Sequence, residues 1–349
     1  MIPDKNYQNI LIVKPSALGD IARGLPVASA LRRRWPEAKI SWVVCPGFAE
    51  LVSDNPAIDQ VIIFDKKKIS RFGFAAISEI FRLARILKEN QFDLVLDLQG
   101  LFRSGLISRL TGSEVRIGLR KSREFAWLFY NVRVDAPRIN HANNDCFRLA
   151  LAAGVEDSEP GFGAPVNERA YESARSILTE AGIDIDKGFI TLLPGGTAIE
   201  KIWPQENYAR LAKEIFDRYN MKCVIVGAGN REAELAENIT ALAAKEVLTD
   251  LTNKTSLAEL TAILSFSKLV AGNDSGPLHI AAAIPKTVVG IYGPTNPDVV
   301  GPVNQRGNVI EAGADRPRQG RYSRDPAHDI GNISVEQVME KITEVIPDE

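Results

Sequence analysis

Short apolar runs alternate with helical periodicity along the chain, and the alternation stops once and then restarts. Asn9-Ile-Leu-Ile-Val-Lys14, Lys39–Val44, Gln60–Phe64 and Phe92–Asp97 are too short and too uniformly apolar to be half-exposed strands. With helical segments at Leu25–Arg34 and Ile77–Asn90 between them, they predict a parallel sheet covered on both faces. Periodicity lapses at Glu159-Pro-Gly-Phe-Gly-Ala-Pro-Val, a composition that marks a linker. A second alternation follows, with strands at Phe189–Leu193, Lys222–Val226, Leu269–Ala271 and Thr287–Ile291. Its helices are Asn207–Tyr219, Glu232–Ala244, Ser256–Phe266 and Ser334–Ile346. The chain is therefore α/β, with two successive Rossmann-like doubly wound domains, which suits 349 residues at ~100–200 per domain. The boundaries are placed at 1–165 and 166–330. The terminal stretch 331–349 carries a helix that is a candidate to pack back on the N-terminal domain.

Such folds bind ligands beyond the carboxyl ends of their strands, so function is sought in the loops there, facing a central cleft. Lys14-Pro-Ser-Ala-Leu-Gly-Asp20 offers either a capped turn, through Ser16 or Asp20, or a carboxylate placed as a general base. Asp97-Leu-Gln-Gly-Leu-Phe-Arg103 is another such loop, weak by itself. Pro194-Gly-Gly-Thr197, with Lys201 shortly after, combines close-approaching amides, a hydroxyl and a cation, which suits a phosphate. Gly227-Ala-Gly229 starts like a dinucleotide fingerprint but lacks the third glycine. Glu232 then either bonds a ribose hydroxyl or favours the first turn of its helix. Gly272-Asn-Asp274-Ser-Gly-Pro-Leu-His279 opens a helix whose first amides, at Ser275 and Gly276, favour an anion. Asp274 beside them points toward a sugar hydroxyl, and His279 is either a ligand-side group or a core histidine.

The formal net charge of −2 argues against a nucleic-acid partner, but it hides a split. Residues 1–160 hold 23 Lys and Arg against 18 Asp and Glu, a balance of +5, and the remainder holds −7. Cys45, Cys146 and Cys223 are scattered without a CxxC, so neither a zinc site nor a disulfide scaffold is expected. The first residues lack a signal pattern, and no apolar run approaches the ~18–20 residues of a membrane span. A soluble, cytoplasmic chain is expected.

Taken together, these loops resemble glycosyltransferase family 9, the bacterial lipopolysaccharide heptosyltransferases, and within it the heptosyltransferase I group. The carriers are Lys14–Asp20, Asp97–Leu101, Ser122-Arg-Glu124 followed by Leu128–Asn131, and His141-Ala142. Lys201–Pro204, Asp274–His279 and Tyr292–Pro297 complete the set, in family order. The resemblance implies a GT-B fold and an inverting, metal-independent transfer of L-glycero-D-manno-heptose. The donor would be ADP-heptose and the acceptor a Kdo sugar of Kdo-lipid A in the lipopolysaccharide inner core. It places Asp20 as the catalytic base. Thr197, Lys201, Glu232, Thr255, Asp274, Ser275, Gly276 and His279 fall in the donor site, with Thr255 near the adenine. Lys66, Lys67, Lys68, Arg71 and Arg123 fall on the acceptor side. No cofactor is implied, and a monomer peripheral to the cytoplasmic face of the inner membrane is expected. The chain departs from many relatives in having no cysteine between Gly313 and Ile333, and His328 there carries no assigned role.

In such a transfer Asp20 takes the acceptor proton, while Lys201, Thr197 and the helix amides stabilise the leaving diphosphate. Asp184-Ile-Asp186 has the DxD form of a metal site but lies before a strand, which argues against that role. The alternatives are a heptosyltransferase II or another nucleotide-sugar transferase, a two-lobed nucleotide- or sugar-binding protein, and a nicotinamide oxidoreductase built on Gly227–Gly229. A shift in melting temperature with ADP and not NAD separates the last of these.

Overall fold

A computed structural model describes residues 5–70, 74–137, 141–156, 167–284 and 286–346. The chain divides into two compact units, Met1–Pro165 and Val166–Glu349, each built on one six-stranded, wholly parallel sheet. The first sheet comprises β1 (Asn9–Val13), β2 (Lys39–Val44), β3 (Gln60–Ile63), β4 (Leu94–Asp97), β5 (Val115–Leu119) and β6 (Val132–Val134). Its helices are α1 (Leu18–Arg34), α2 (Glu50–Ser53), α3 (Lys66–Ser70), α4 (Phe74–Glu89), α5 (Phe102–Leu110) and α6 (Ala142–Ala153). The second sheet comprises β7 (Phe189–Leu193), β8 (Lys222–Ile225), β9 (Leu248–Asp250), β10 (Leu269–Asn273), β11 (Val288–Tyr292) and β12 (Val309–Glu311). Around it lie α7 (Glu168–Glu180), α8 (Gln205–Tyr219), α9 (Asn230–Leu242), α10 (Leu257–Phe266), α11 (Gly276–Ala283), α12 (Pro297–Val300) and α13 (Val335–Val345).

The spatial orders are β3-β2-β1-β4-β5-β6 and β12-β11-β10-β7-β8-β9. In each sheet the unit's first strand lies beside its fourth, and the direction of winding reverses between them. That reversal opens a crevice at the carboxyl edge. It falls between β1 and β4 in one unit and between β7 and β10 in the other.

The strands read as continuous apolar runs because helices cover both faces. Every residue of β7, β10 and β11 is buried. On one face of the first sheet, Leu83 and Leu87 of α4 and Ile107 of α5 pack with Leu11, Val43 and Val95. On the other, α1 packs against α6. In α1 a Cβ on Gly24 would lie 3.2 Å from the Trp42 ring, so glycine lets the helix settle directly on the buried indole. The final helix α13 packs on α8, β11 and β12 of its own unit, with Val335, Val338, Met339 and Ile342 in that core. No described helix is long and apolar enough to cross a membrane.

Candidate active-site residues at the two sheet edges

At the first reversal point, two loops are tied together before any ligand is considered. The buried Lys14 donates from Nζ to the Leu98 carbonyl at 2.5 Å, and the Ser16 amide donates to Gln99 Oε1 at 3.4 Å. The loop after β1 is thus fixed to the loop after β4. Neither Ser16 nor Asp20 caps α1: the N-cap is Ala17, without a side-chain hydrogen bond. Asp20 sits instead in the first turn, where the helix dipole favours a carboxylate. Its Oδ1 accepts from Nη2 of the buried Arg23 at 2.7 Å, and its side chain is 28% exposed. A carboxylate held by a buried guanidinium and still reachable from solvent is oriented without being sealed off.

The β4 loop is shaped from beneath by Asp97. Its Oδ1 accepts from the Gln99 and Gly100 amides at 2.9 and 3.0 Å, and its Oδ2 accepts from Tyr130 Oη at 2.6 Å. Burial pushes this carboxyl group above its ordinary range; the hydrogen bonds oppose that shift without cancelling it. The Arg123 amide donates to the Gly100 carbonyl at 3.0 Å, so the exposed Arg123 is carried to the edge that holds Asp20. Lys66, Lys67 and Lys68 are exposed on α3, which begins just beyond the carboxyl end of β3. Asp65 Oδ1 accepts from the Lys67 and Lys68 amides there. Two strand spacings, roughly 10 Å, separate β3 from β1. Arg71 lies outside the described residues.

The second reversal point is organised by a residue that sequence reading passed over. Asn273, fully buried at the end of β10, donates from Nδ2 to the Pro194 carbonyl at 2.7 Å. Its Oδ1 accepts from Tyr208 Oη at 2.9 Å and from the Trp203 amide at 3.3 Å. One amide side chain therefore holds the glycine loop after β7, the segment after Lys201 and helix α8. Gln and Asp offer no equivalent: the first is a methylene too long and the second lacks the donor.

Around this hub three polar side chains meet. Asp274, nearly buried, accepts from Lys201 Nζ at 2.5 Å through Oδ2, and Oδ1 lies 3.1 Å from His279 Nε2. Burial alone would raise the Asp274 pKa. The hydrogen bond and charge of His279, with those of Lys201, outweigh it and hold the carboxyl well below the usual carboxylate range. Asp274 was read from sequence as a partner for a sugar hydroxyl. In the structure its two oxygens hold Lys201 and His279. Because its folded pKa is depressed, it stabilises the fold above ~pH 4, the ordinary carboxylate range, and that contribution drains away as pH falls below it. Asp274→Asn is accordingly expected to lower the melting temperature near neutrality, with the gap from wild type narrowing toward about pH 3. A gap that stays constant with pH would show that the carboxylate charge is not what matters.

Ser275 is the N-cap of α11, yet its side chain makes no capping bond. Its Oγ is buried with no hydrogen-bond partner among the described residues. The amides at this helix end and the hydroxyl beside them remain available to an anion. Thr197 is exposed in the β7 loop. Glu232, in the first turn of α9, is drawn in close: a Cβ on Gly195 would meet its Cγ at 3.0 Å, and one on Gly227 its Cβ at 3.2 Å. The glycines of two loops thus make the space that the Glu232 side chain occupies. Asn253 Oδ1 accepts from the Gly229 amide at 2.7 Å, joining the β9 loop, where Thr255 is half-buried, to the β8 loop.

The predicted donor residues therefore follow the carboxyl edge in strand order: β10 and β7 for Asp274, Ser275, Gly276, His279, Thr197 and Lys201, then β8 for Glu232 and β9 for Thr255. Three strand spacings, about 14 Å, give a row with cation and helix end at one side and a half-buried hydroxyl at the other. That row matches a diphosphate, a ribose and a base laid end to end.

Two further segments find plain structural roles. Asp184 Oδ1 accepts from the Asp186 and Lys187 amides, so the DxD string is an exposed turn. No group of three or more His, Cys, Asp or Glu side chains suited to a metal occurs among the described residues. In the cysteine-free segment, His328 is buried, with Nδ1 at 2.6 Å from Ser323 Oγ and Nε2 at 2.9 Å from the Arg316 carbonyl. Arg318 donates to Glu311 Oε2 and to the Gly293 and Ala312 carbonyls. Polar side chains fold this segment into the lining of a cavity of about 690 Å³ that Ile199 and Glu200 also line.

Comparison with known proteins shows the family to which the chain is similar. Residues 80–326 match the model of glycosyltransferase family 9 (heptosyltransferase). The lipopolysaccharide core heptosyltransferase OpsX of Haemophilus influenzae is 31% identical, over 87% of this chain and 84% of its own length. Lipopolysaccharide heptosyltransferase 1 of Escherichia coli is 28% identical over 96% and 99%. Among solved structures, the E. coli heptosyltransferase WaaC with ADP superposes with a TM-score of 0.77 at 25% identity, covering 97% of this chain and all of that one. A glycosyl transferase family 9 protein from Veillonella parvula reaches 0.85 at 23% identity, with 99% of both chains covered.

Proposed function

The chain belongs to glycosyltransferase family 9, the heptosyltransferases, and on that premise we propose that it moves L-glycero-D-manno-heptose from ADP-heptose to a Kdo sugar of lipid-linked inner core. The observation that carries this reading is the Lys201–Asp274–His279 cluster at the amino end of α11, beside the glycine loop after β7. ADP lies along the second sheet edge, its diphosphate at Lys201, Thr197 and the Ser275–Gly276 amides, its ribose at Glu232 and its adenine toward Thr255. Inversion needs a single displacement at the anomeric carbon. Asp20 removes the acceptor hydroxyl's proton as the oxygen attacks. The glycosidic bond to ADP breaks, and the negative charge gathering on the diphosphate is met by the Lys201 ammonium and the helix amides. These groups supply the charge stabilisation from the protein's own side chains and backbone.

The similarity to heptosyltransferase 1 sequences, at 28–29% identity, against 25% for heptosyltransferase 2 of Salmonella typhimurium and E. coli, favours the first acceptor. Incubation with ADP-heptose and Kdo-lipid A, read by product mass, tests the proposal. A product heavier by one heptose supports it, and its absence with both Kdo and heptosyl-Kdo acceptors overturns it. Because the acceptor is a lipid, the enzyme works at the cytoplasmic face of the inner membrane. Arg123 and the lysines at residues 66–68 form a basic rim on the acceptor side. Replacing those three lysines with glutamine is expected to raise the acceptor KM several-fold while the donor KM stays put, since each exposed contact to a phosphate is worth only a modest charge-assisted bond. Equal KM values for acceptor in mutant and wild type would remove the lysines from acceptor binding.

A further inference from the structure

Helix α4 is apolar on two sides. Its inward side places Leu83 and Leu87 in the core. Its outward side nevertheless presents Ile77, Ile80 and Phe81, the last 71% exposed. A helix covering one face of a sheet in solvent normally turns a polar surface outward. Helix α5 is its neighbour and repeats the pattern: Ile107 is buried while Phe102 and Leu106 are exposed. The short helical turn Ala126–Phe129 packs on α5, with Phe102 and Phe129 rings edge to face at 5.2 Å. It adds Leu128, 58% exposed, and lies next to Phe125 at 67%. Large side chains exposed singly are ordinary, but a contiguous set on adjoining elements marks an interaction surface.

The charges around this set tell what it meets. Residues 74–109, which hold both helices, carry five Lys and Arg against four Asp and Glu. Of those acids, Asp97 is buried, Glu79 is buried against Arg82 and Glu89 is paired with Arg85. Asp93 accepts from the Gln8 and Asn9 amides at the opposite end of the strands. Arg85, Lys88, Arg103 and Arg109 are exposed on the same two helices as the apolar side chains, and Arg133 stacks over Trp127 at 5.0 Å from the ring centroid. A second copy of the chain meeting this face about a two-fold axis would set those cations against each other. A bilayer with anionic headgroups would attract them while its acyl boundary takes up the aromatic and aliphatic side chains.

We propose that the outward faces of α4 and α5, with the 125–128 turn, form the surface on which this protein rests on an anionic phospholipid bilayer. The proposal rests on the lipid-acceptor reading above and identifies the part of the molecule that delivers it to the membrane. It is distinct from the residues assigned to the acceptor's sugars and phosphates.

The test uses the full chain and vesicles containing no acceptor. Wild type is expected to co-sediment with phosphatidylcholine vesicles containing phosphatidylglycerol, and far less with phosphatidylcholine alone. The variant Phe81→Ser with Phe125→Ser is expected to bind the mixed vesicles at least about tenfold more weakly, given the apolar area two exposed rings can bury. Its melting temperature should be unchanged, since both rings stand in solvent. The variant Arg85→Glu with Lys88→Glu should lose the preference for the anionic lipid. On a deacylated, water-soluble acceptor the aromatic variant should turn over like wild type, and on acceptor embedded in vesicles it should be slower. Equal vesicle binding by wild type and aromatic variant overturns the proposal, as does binding indifferent to lipid charge. So does a wild-type dimer that the aromatic variant dissolves while vesicle binding persists, which would give the surface to a second copy. Failure of the transfer reaction itself would appear separately, as no turnover on the soluble acceptor by any variant.

Discussion

Asp20→Asn is expected to lower kcat for heptosyl transfer by about 10²–10⁴-fold, the usual worth of a positioned general base, with ADP affinity unchanged. The substitution keeps the size of the side chain and an oxygen able to accept from Arg23, so the first turn of α1 has no reason to move. What disappears is the capacity to take a proton. The assignment has a sharp failure mode: the mutant is compared with wild type by ADP release under saturating donor and acceptor. Wild-type turnover would take Asp20 out of the mechanism and leave Arg23 as a guanidinium with a purely structural carboxylate beside it. A rise in acceptor KM with kcat intact would make Asp20 an acceptor-binding group instead.

Lys201→Ala is expected to weaken ADP binding about 10–100-fold by calorimetry, from the loss of a charge-assisted contact of about 1.5–3 kcal/mol. Two effects contribute. The ammonium no longer meets the diphosphate, and the nearly buried Asp274 loses its lysine ion-pair partner and turns a less compensated carboxylate toward an anion. The double variant Lys201→Ala with Asp274→Asn separates them: it should bind ADP more tightly than Lys201→Ala alone, because the repulsive charge is gone. Unchanged affinity in Lys201→Ala would remove the diphosphate from this end of the site, and with it the order of phosphate, ribose and base along the sheet edge.

Much of the fold is legible because parallel strands buried on both faces leave unbroken apolar runs. The strands that escape reading are three of the four edge strands and one that lies next to an edge. Val132–Val134, Leu248–Asp250 and Val309–Glu311 have three residues each, too few to show a period, and Val115–Leu119 is interrupted by Arg116 and Gly118. Helix α1 starts at Leu18, seven residues before the predicted Leu25. Gly19, Gly24 and Pro26 disguise its first half, and Gly24 is there for contact with Trp42, a tertiary reason invisible to local pattern. The candidate site divides in the same way. Asp20, Lys201, Asp274, Ser275 and His279 stand in the loops or first helical turns that follow strands and are recognisable from that position. Asn273 is not, since its work is done on Pro194, Trp203 and Tyr208, 65 to 79 residues away. Nor is the pairing of Asp97 with Tyr130, 33 residues apart.

Each unit completes its own sheet with its own six strands and reverses its winding once. This has a consequence for how such a chain can change over generations. On the proposed assignment, substitutions in the loops after β1, β3 and β4 would remodel acceptor recognition without touching the hydrogen-bond partners of Asn273. On the same assignment, the loops after β7 to β10 could be retuned for another nucleotide or sugar with Asp20 and Arg23 untouched. New specificities are reachable through separate, additive steps, and hybrid chains joined at the Gly- and Pro-rich segment near residue 165 are the natural material for recombining them.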